Sequence, residues 1–154
     1  MATIGEICNR EVVVATRDTT IADAAKLMRA HHVGSLAVAE PDDRAQHPVS
    51  IITDRDLVVE IMAMDLDPHT LTVGEVMGPA LVIAHENDGI RETLELMRHR
   101  SVRRVPIMST RGHLLGIVAS DDLIQGLADD MTALASITTR EHAREAAQRK
   151  PVSV

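Results

Sequence analysis

The chain contains no Phe, Tyr or Trp among its 154 residues. Without aromatic platforms no base can be stacked on a ring, which excludes the common single-strand nucleic-acid binding surfaces. The core has to be built from Val, Ile, Leu, Ala and eight Met, and any bound ring has to lie between aliphatic walls. Cysteine is nearly absent too. The single Cys8 cannot form an internal disulfide and suits a reducing compartment. Positive charge is in deficit, with 16 Lys and Arg against 23 Asp and Glu, a formal charge of −7. Such a balance repels phosphate backbones, so general nucleic-acid binding is not expected. No apolar run approaches the roughly 18 residues needed to cross a bilayer. The opening Met1-Ala2-Thr3-Ile4-Gly5-Glu6 has neither the basic start nor the apolar stretch of a secretory signal. With 45% apolar and 25% charged residues the composition is that of a globular domain. A cytoplasmic protein is expected.

What the sequence does contain is a repeat. Thr3-Ile4-Gly5-Glu6-Ile7 returns as Thr72-Val73-Gly74-Glu75-Val76, a shift of 69. The same shift carries Val13-Val14-Ala15 onto Val82-Ile83-Ala84 and Leu27-Met28-Arg29 onto Leu96-Met97-Arg98. Further along, Ile51-Ile52 pairs with Ile117-Val118 and Asp56-Leu57 with Asp122-Leu123, now at a shift of 66. The three extra residues of the first copy fall in the polar stretch 40–48, where a surface loop tolerates them. The expected division is repeat one at 1–66, a connector at 67–71, repeat two at 72–136, and a polar tail at 137–154.

Each copy reads as β-α-β-β-α. Val12-Val13-Val14 and Leu81-Val82-Ile83 are expected as short first strands. The next helices present Ile21, Ala24, Ala25 and Met28, or Ile90, Thr93, Leu94 and Met97, on one face. Thr20-Ile21-Ala22-Asp23 resembles a capping box that starts the first of them. Two strands follow, Leu36–Val38 and Val49–Ile52, then Val105–Ile107 and Leu114–Val118, with Pro106 expected at an edge or a strand start. The closing helices carry Leu57, Val58, Ile61 and Met62, or Leu123, Ile124, Leu127, Met131 and Leu134. A unit of about 60 residues buries little alone, so the two are expected to pack sheet edge to sheet edge. The tail from Thr138 has helix-forming residues but no apolar stripe, and is expected as a solvated helix or, by preference, as disorder.

Two copies in register, opened by Thr3–Ile7 and Thr72–Met77, resemble the CBS-domain family, specifically a stand-alone tandem CBS pair. Val102-Arg103-Arg104-Val105-Pro106-Ile107 carries that resemblance, as do Ser50–Leu57 and Gly116–Leu123, which join the third strand to the last helix. The resemblance implies an α+β fold of two CBS repeats packed as one pseudo-two-fold module. It also implies a homodimeric, non-enzymatic regulatory protein that binds adenosine-containing ligands such as AMP, ADP, ATP or S-adenosylmethionine between its repeats. An effector protein in trans is implied as the listener. In the family's T-x-x-D motif the Asp holds the ribose hydroxyls, the Thr or Ser helps hold ribose or phosphate, and basic residues meet the phosphates. Residue by residue this points to Thr53, Arg55 and Asp56 in the first copy, and to Arg103, Arg104, Ser120 and Asp122 in the second.

Physical chemistry supports the pattern independently. A carboxylate accepts two hydrogen bonds and so suits a vicinal diol, and a helix start offers free N–H groups to an anion. The competing reading is that Thr53, Asp54 and Asp56 merely cap the last helix. Both copies depart from the motif: Ala119 stands at the second copy's Thr position, while Ser50 replaces the Gly kept at 116 and is expected to narrow the first cleft. The alternative function is therefore a dimeric scaffold module with vestigial clefts. Mg²⁺ is expected only together with a nucleotide, at Asp54/Asp56 or Asp121/Asp122. The eight His show no metal-ligand spacing, and nothing assembles a nucleophile, base and oxyanion site.

Overall fold

The computed structural model describes residues 3–44, 46–78 and 81–149, so the last residues of the polar tail lie outside it. Each repeat is a three-stranded sheet with helices, giving a mixed α+β fold. The first repeat runs α1 (Ile4–Ile7), β1 (Val14–Thr16), α2 (Ile21–His31), β2 (Ser35–Ala39), β3 (Pro48–Thr53) and α3 (Asp54–Asp56), whose chain continues as a π-wound segment, Leu57–Met62. The second runs α4 (Val73–Val76), β4 (Ala84–His85), α5 (Ile90–Arg100), β5 (Arg104–Met108), β6 (Leu114–Ala119) and α6 (Ser120–Gln148). In both sheets the middle strand takes a parallel neighbour on one side and an antiparallel one on the other.

Pro106 is in the middle of its sheet, not at an edge, and this shortens its neighbour. In repeat one the Ala37 N–H donates to Val13 O at 3.1 Å and holds the first strand in place. Pro106 occupies the position of Ala37 and has no N–H to give Val82. The expected strand at 81–83 therefore does not form, and β4 is reduced to Ala84–His85. The first strand of repeat one likewise starts two residues later than expected, at Val14.

The helices that flank the first strands behave as their spacing dictates. Thr20 caps α2 by accepting from the Asp23 N–H at 3.1 Å, but the Asp23 carboxylate turns to Lys26 and leaves the box half made. Ile21, Ala24 and Met28 are buried beneath α2, whereas Ala25 faces solvent. Under α5 the buried set is Ile90, Thr93 and Met97, with Leu94 exposed.

The two sheets do not pair edge to edge among the described residues. Instead the repeats exchange their leading segments. Ile4 and Gly5 donate backbone hydrogen bonds to Asp88 and Glu86 of repeat two, at 2.8 and 3.0 Å. Val73 and Gly74 donate to Thr19 and Arg17 of repeat one, at 2.8 and 2.9 Å. The side chains follow the backbone: Ile4 and Cys8 are buried in the core formed by Ile90, Met97, Val105, Ile107 and Val118. Val73 is buried with Ile21, Met28, Leu36, Val38 and Ile52. Gly5 has to be glycine in this arrangement, because a Cβ there would sit 2.8 Å from the carbonyl oxygen of Glu86. Neither repeat has a complete core without the other's first residues.

The last helices form where they are expected and bury only part of their apolar residues. Leu57 and Ile61 are buried, but Val58 and Met62 are exposed. In α6 only Leu123 is buried, while Ile124, Leu127, Met131 and Leu134 face solvent. The helix continues to Gln148, through the polar segment read as disordered by preference. No helix among the described residues is long and apolar enough to cross a membrane.

Candidate functional site

Two clefts lie between the repeats, and each draws one wall from either repeat. The first, of about 460 Å³, is lined by Ser50, Ile51 and Thr53–Asp56 of repeat one. Its facing wall is Gly78, Leu81, Val82 and Ser101–Arg104 of repeat two. The second, of about 230 Å³, sets Ile117, Ala119 and Asp122 of repeat two against Asn9, Glu11–Val13 and His32–Ser35 of repeat one. The sequence positions of one cleft map onto those of the other through the same 69- and 66-residue shifts.

The turn at Thr53 is built by a reciprocal cap. The Thr53 N–H donates to Asp56 Oδ2 at 2.8 Å, and the Asp56 N–H donates to Thr53 Oγ1 at 3.2 Å. Four residues thus fix both side chains at the cleft, and Asp56 Oδ1 takes no hydrogen bond among the described residues. At the equivalent turn the Ala119 N–H donates to Asp122 Oδ2 at 2.7 Å, but Ala119 has no hydroxyl to return the bond. Both turns are tied to the residue that leads into the antiparallel middle strand: Asp54 N–H to Gly34 O at 3.0 Å, and Ser120 N–H to Arg103 O at 2.9 Å.

Repeat-by-repeat reading pairs Arg103 and Arg104 with the site of the second copy. The geometry places them across from the first copy's turn instead. Thr53, Arg55, Asp56, Arg103 and Arg104 all line the first cleft. Three arginines there face two carboxylates, Asp54 and Asp56. Asp122 lines the second cleft, with Glu11, His32 and the other side of Arg104. Ser120 lines neither; its Oγ lies 3.4 Å from Asp121 Oδ1. The cleft that keeps the whole T-x-x-D turn is thus also the one that receives the basic pair. Separate inspection of the repeats misses this, because the pairing crosses the exchange of leading segments.

Ser50 does not narrow its cleft. Its buried hydroxyl donates to Gly78 O at 3.2 Å, so the side chain is spent on the chain beside the cleft. At the equivalent Gly116 the neighbouring chain comes in closer. Asn9 and Ile117 exchange two backbone hydrogen bonds of 2.9 Å. A Cβ on Gly116 would lie 2.6 Å from Asn9 O and 2.7 Å from Cys8 Sγ. The serine acts as a spacer where the glycine allows contact, and the cleft beside the serine is the larger one. Leu81, Val82 and Val102, with Ile51, give it an aliphatic side, the one kind of wall an aromatic-free chain can offer a ring.

The perturbed ionisable groups lie elsewhere. Burial pushes the Cys8 thiol pKa up, which opposes thiolate chemistry. The backbone N–H of Thr110 holds the Glu86 carboxyl below its usual range. Lys26 does the same for Asp23. Among the described residues no three His, Cys, Asp or Glu side chains come together as a metal site.

Comparison with known proteins gives the same architecture. The CBS domain family model matches residues 4–63 and 73–129. Hypoxic response protein 1 of Mycobacterium tuberculosis is 36% identical over 129 residues, 84% of this chain and 87% of that protein. The crystal structure of Hypoxic Response Protein I, which holds two coordinated zinc ions, superposes with a TM-score of 0.68 at 35% identity. It covers 80% of this chain and 98% of that one. An uncharacterised protein of Methanopyrus kandleri is 30% identical over 122 residues, 79% of this chain but only 61% of that protein. The CBS domain pair of protein MJ0100, in complex with 5′-methylthioadenosine and S-adenosyl-L-methionine, superposes with a TM-score of 0.72 at 22% identity. It covers 84% of this chain and 98% of that one. Two matched repeats, each completed by the other's leading segment, make this chain a member of the CBS-domain family.

Proposed function

We propose that the protein is a non-enzymatic regulatory module that binds an adenosine nucleotide in the larger cleft and signals to a separate effector protein. One observation carries this reading: the Thr53–Asp56 turn faces Arg103 and Arg104 across a cleft with an aliphatic side. In this assignment Asp56 Oδ1 accepts from the ribose hydroxyls, and Thr53 supports the same end of the ligand. Arg55, Arg103 and Arg104 receive the phosphates of AMP, ADP or ATP, because guanidinium forks match phosphate oxygens. Leu81, Val82 and Val102 flank the base. Mg²⁺ enters only with the nucleotide, through Asp54 and the phosphates. Asp122 and Ser120 belong to the smaller cleft and its rim, with a lesser part. The adenosine ligands recorded with the CBS pair of MJ0100 support the ligand class through the shared fold.

A second reading, a scaffold with vestigial clefts, is favoured by the reciprocal cap, since Thr53 and Asp56 already satisfy each other in part. The two separate in a dye-based thermal melt against AMP, ADP, ATP, S-adenosylmethionine and NADH; an intrinsic signal is lacking because there is no Trp. A ligand at about 100 times its Kd adds about 2.7 kcal/mol, a readily visible shift at this size. A shift with adenine nucleotides that is lost in Arg103→Ala/Arg104→Ala supports the sensor. A cooperative melt that no ligand moves sinks it in favour of the scaffold.

A further inference from the structure

Arg104 is the one described residue that lines both clefts. It opens β5, and its side chain reaches over Gly34. A Cβ set on Gly34 would lie 3.6 Å from Arg104 Nη2 and 3.1 Å from Asp54 Oδ2. The guanidinium thus stands where the wall of the smaller cleft meets the turn of the larger. Among the described residues it has neither a hydrogen-bonded nor an ion-paired partner. A half-buried guanidinium without a carboxylate of its own is free to take an anion from either side.

The two sides depend on it unequally. In the larger cleft Arg55 and Arg103 already balance Asp54 and Asp56, so Arg104 supplies the positive excess. The smaller cleft has no other Lys or Arg in its lining, and there Arg104 stands against Glu11 and Asp122. Ser35, the equivalent of Arg104 in repeat one, lines the smaller cleft but brings no charge to it. Once a phosphate in the larger cleft holds the Arg104 guanidinium, the smaller cleft keeps its carboxylates and loses its counter-charge. A second phosphate entering there meets repulsion and no donor fork.

We propose, building on nucleotide binding in the larger cleft, that Arg104 is a counter-charge shared by the two clefts, so that a phosphorylated nucleotide in the larger one shuts the smaller to a second. The coupling acts through charge, and a ligand without phosphate escapes it.

The test is titration calorimetry of the full chain with AMP and with adenosine, at about pH 8 where an ordinary imidazole is neutral. Wild type is expected to take one AMP per chain and to bind a second about 10- to 100-fold more weakly, the range for a lost hydrogen bond between charged groups. Adenosine has no phosphate, so its first and second Kd are expected to differ by less. Ser35→Arg gives the smaller cleft an arginine where repeat two already carries one, and Glu11→Lys reverses the charge of an exposed residue in its lining. Each is expected to tighten the second AMP about 10-fold. Adding Asp122→Ala is expected to cancel that gain, which places it in the smaller cleft. Cooperative thermal melts check folding, and Glu11→Lys carries the test if Ser35→Arg does not fold. Two equal AMP sites in the wild type overturn the proposal, as does the same spread of Kd for adenosine. So does a second AMP that a folded variant fails to tighten. A wild type that binds no AMP sinks nucleotide binding itself, and the coupling with it.

Discussion

The two clefts come from one repeated sequence and share the aspartate of the turn, Asp56 or Asp122, yet they differ around it. The larger has a complete capping turn, three arginines and a serine spacer. The smaller has half a cap, one arginine shared with its neighbour, and the carboxylates Glu11 and Asp122. The difference teaches how a duplicated module specialises. Substitutions in one repeat change the cleft headed by the other, because each cleft takes a wall from both. Gly34-Ser35 and Arg103-Arg104 are equivalent in sequence. Each pair furnishes the wall opposite the other repeat's turn.

The comparison breaks most visibly at the spacer. Gly116→Ser gives repeat two the residue of repeat one and drives a Cβ into Asn9 O and Cys8 Sγ. A loss of about 3 kcal/mol in urea unfolding is expected. The reverse exchange, Ser50→Gly, forfeits the hydroxyl's bonds to Gly78 O and Ile51 O and loosens the backbone of β3, and costs about 2 kcal/mol. Equal losses in the two variants would show that the clefts are spaced in the same way.

Ligand binding should follow the same asymmetry. Asp56→Ala is expected to weaken AMP binding about 10- to 100-fold in titration calorimetry, the range for a lost hydrogen bond to a charged group. Asp122→Ala is expected to change it less than twofold. Equal affinity in the wild type and both variants would remove the distinction between the clefts as ligand sites.

A smaller effect sharpens the contrast between the turns. Ala119→Thr supplies the missing hydroxyl of the second cap and is expected to raise stability by about 1 kcal/mol. Thr53→Ala removes its counterpart and is expected to lower it by a similar amount.

The smallest expected effect concerns the equivalent positions 17 and 86, whose carbonyls both receive a leading segment. Arg17 pairs with Glu40, whereas Glu86 accepts from the Thr110 N–H at 2.6 Å. The folded pKa of Glu86 lies below its unfolded value, so its stabilisation is present above the unfolded value. It is lost as pH falls through the folded one. Glu86→Gln should therefore flatten the fall in stability between about pH 5 and 3. An unchanged acid limb would assign that slope to other carboxylates.

Much of this architecture is legible in the sequence, and the physical reason is locality. The shifts of 69 and 66 residues reveal the duplication. Thr20 and Thr53 announce helix starts because a cap is made within four residues. The strands of each hairpin read correctly because neighbours in sequence pair in space. Local reading fails where the partner is distant. Pro106 looked like an edge residue because its missing N–H matters only against Val82, brought alongside by the fold. Leu127, Met131 and Leu134 share a helix face by their spacing, and spacing alone does not say whether that face is covered.

The sequence alone determined that there are two equivalent units, that neither contains an aromatic ring, and that one keeps the whole Thr53–Asp56 turn. Tertiary structure alone decided where the leading segments go. Thr3–Ile7 and Thr72–Val76 are nearly the same pattern, and either would suit either core by its local chemistry. Backbone bonds from Ile4 to Asp88 and from Val73 to Thr19 settle the choice in favour of exchange. Arg103 and Arg104 stand opposite Thr53 and Asp56 in the assembled fold. That partnership spans about a third of the chain, beyond the reach of any pattern confined to a helix, a turn or a single repeat.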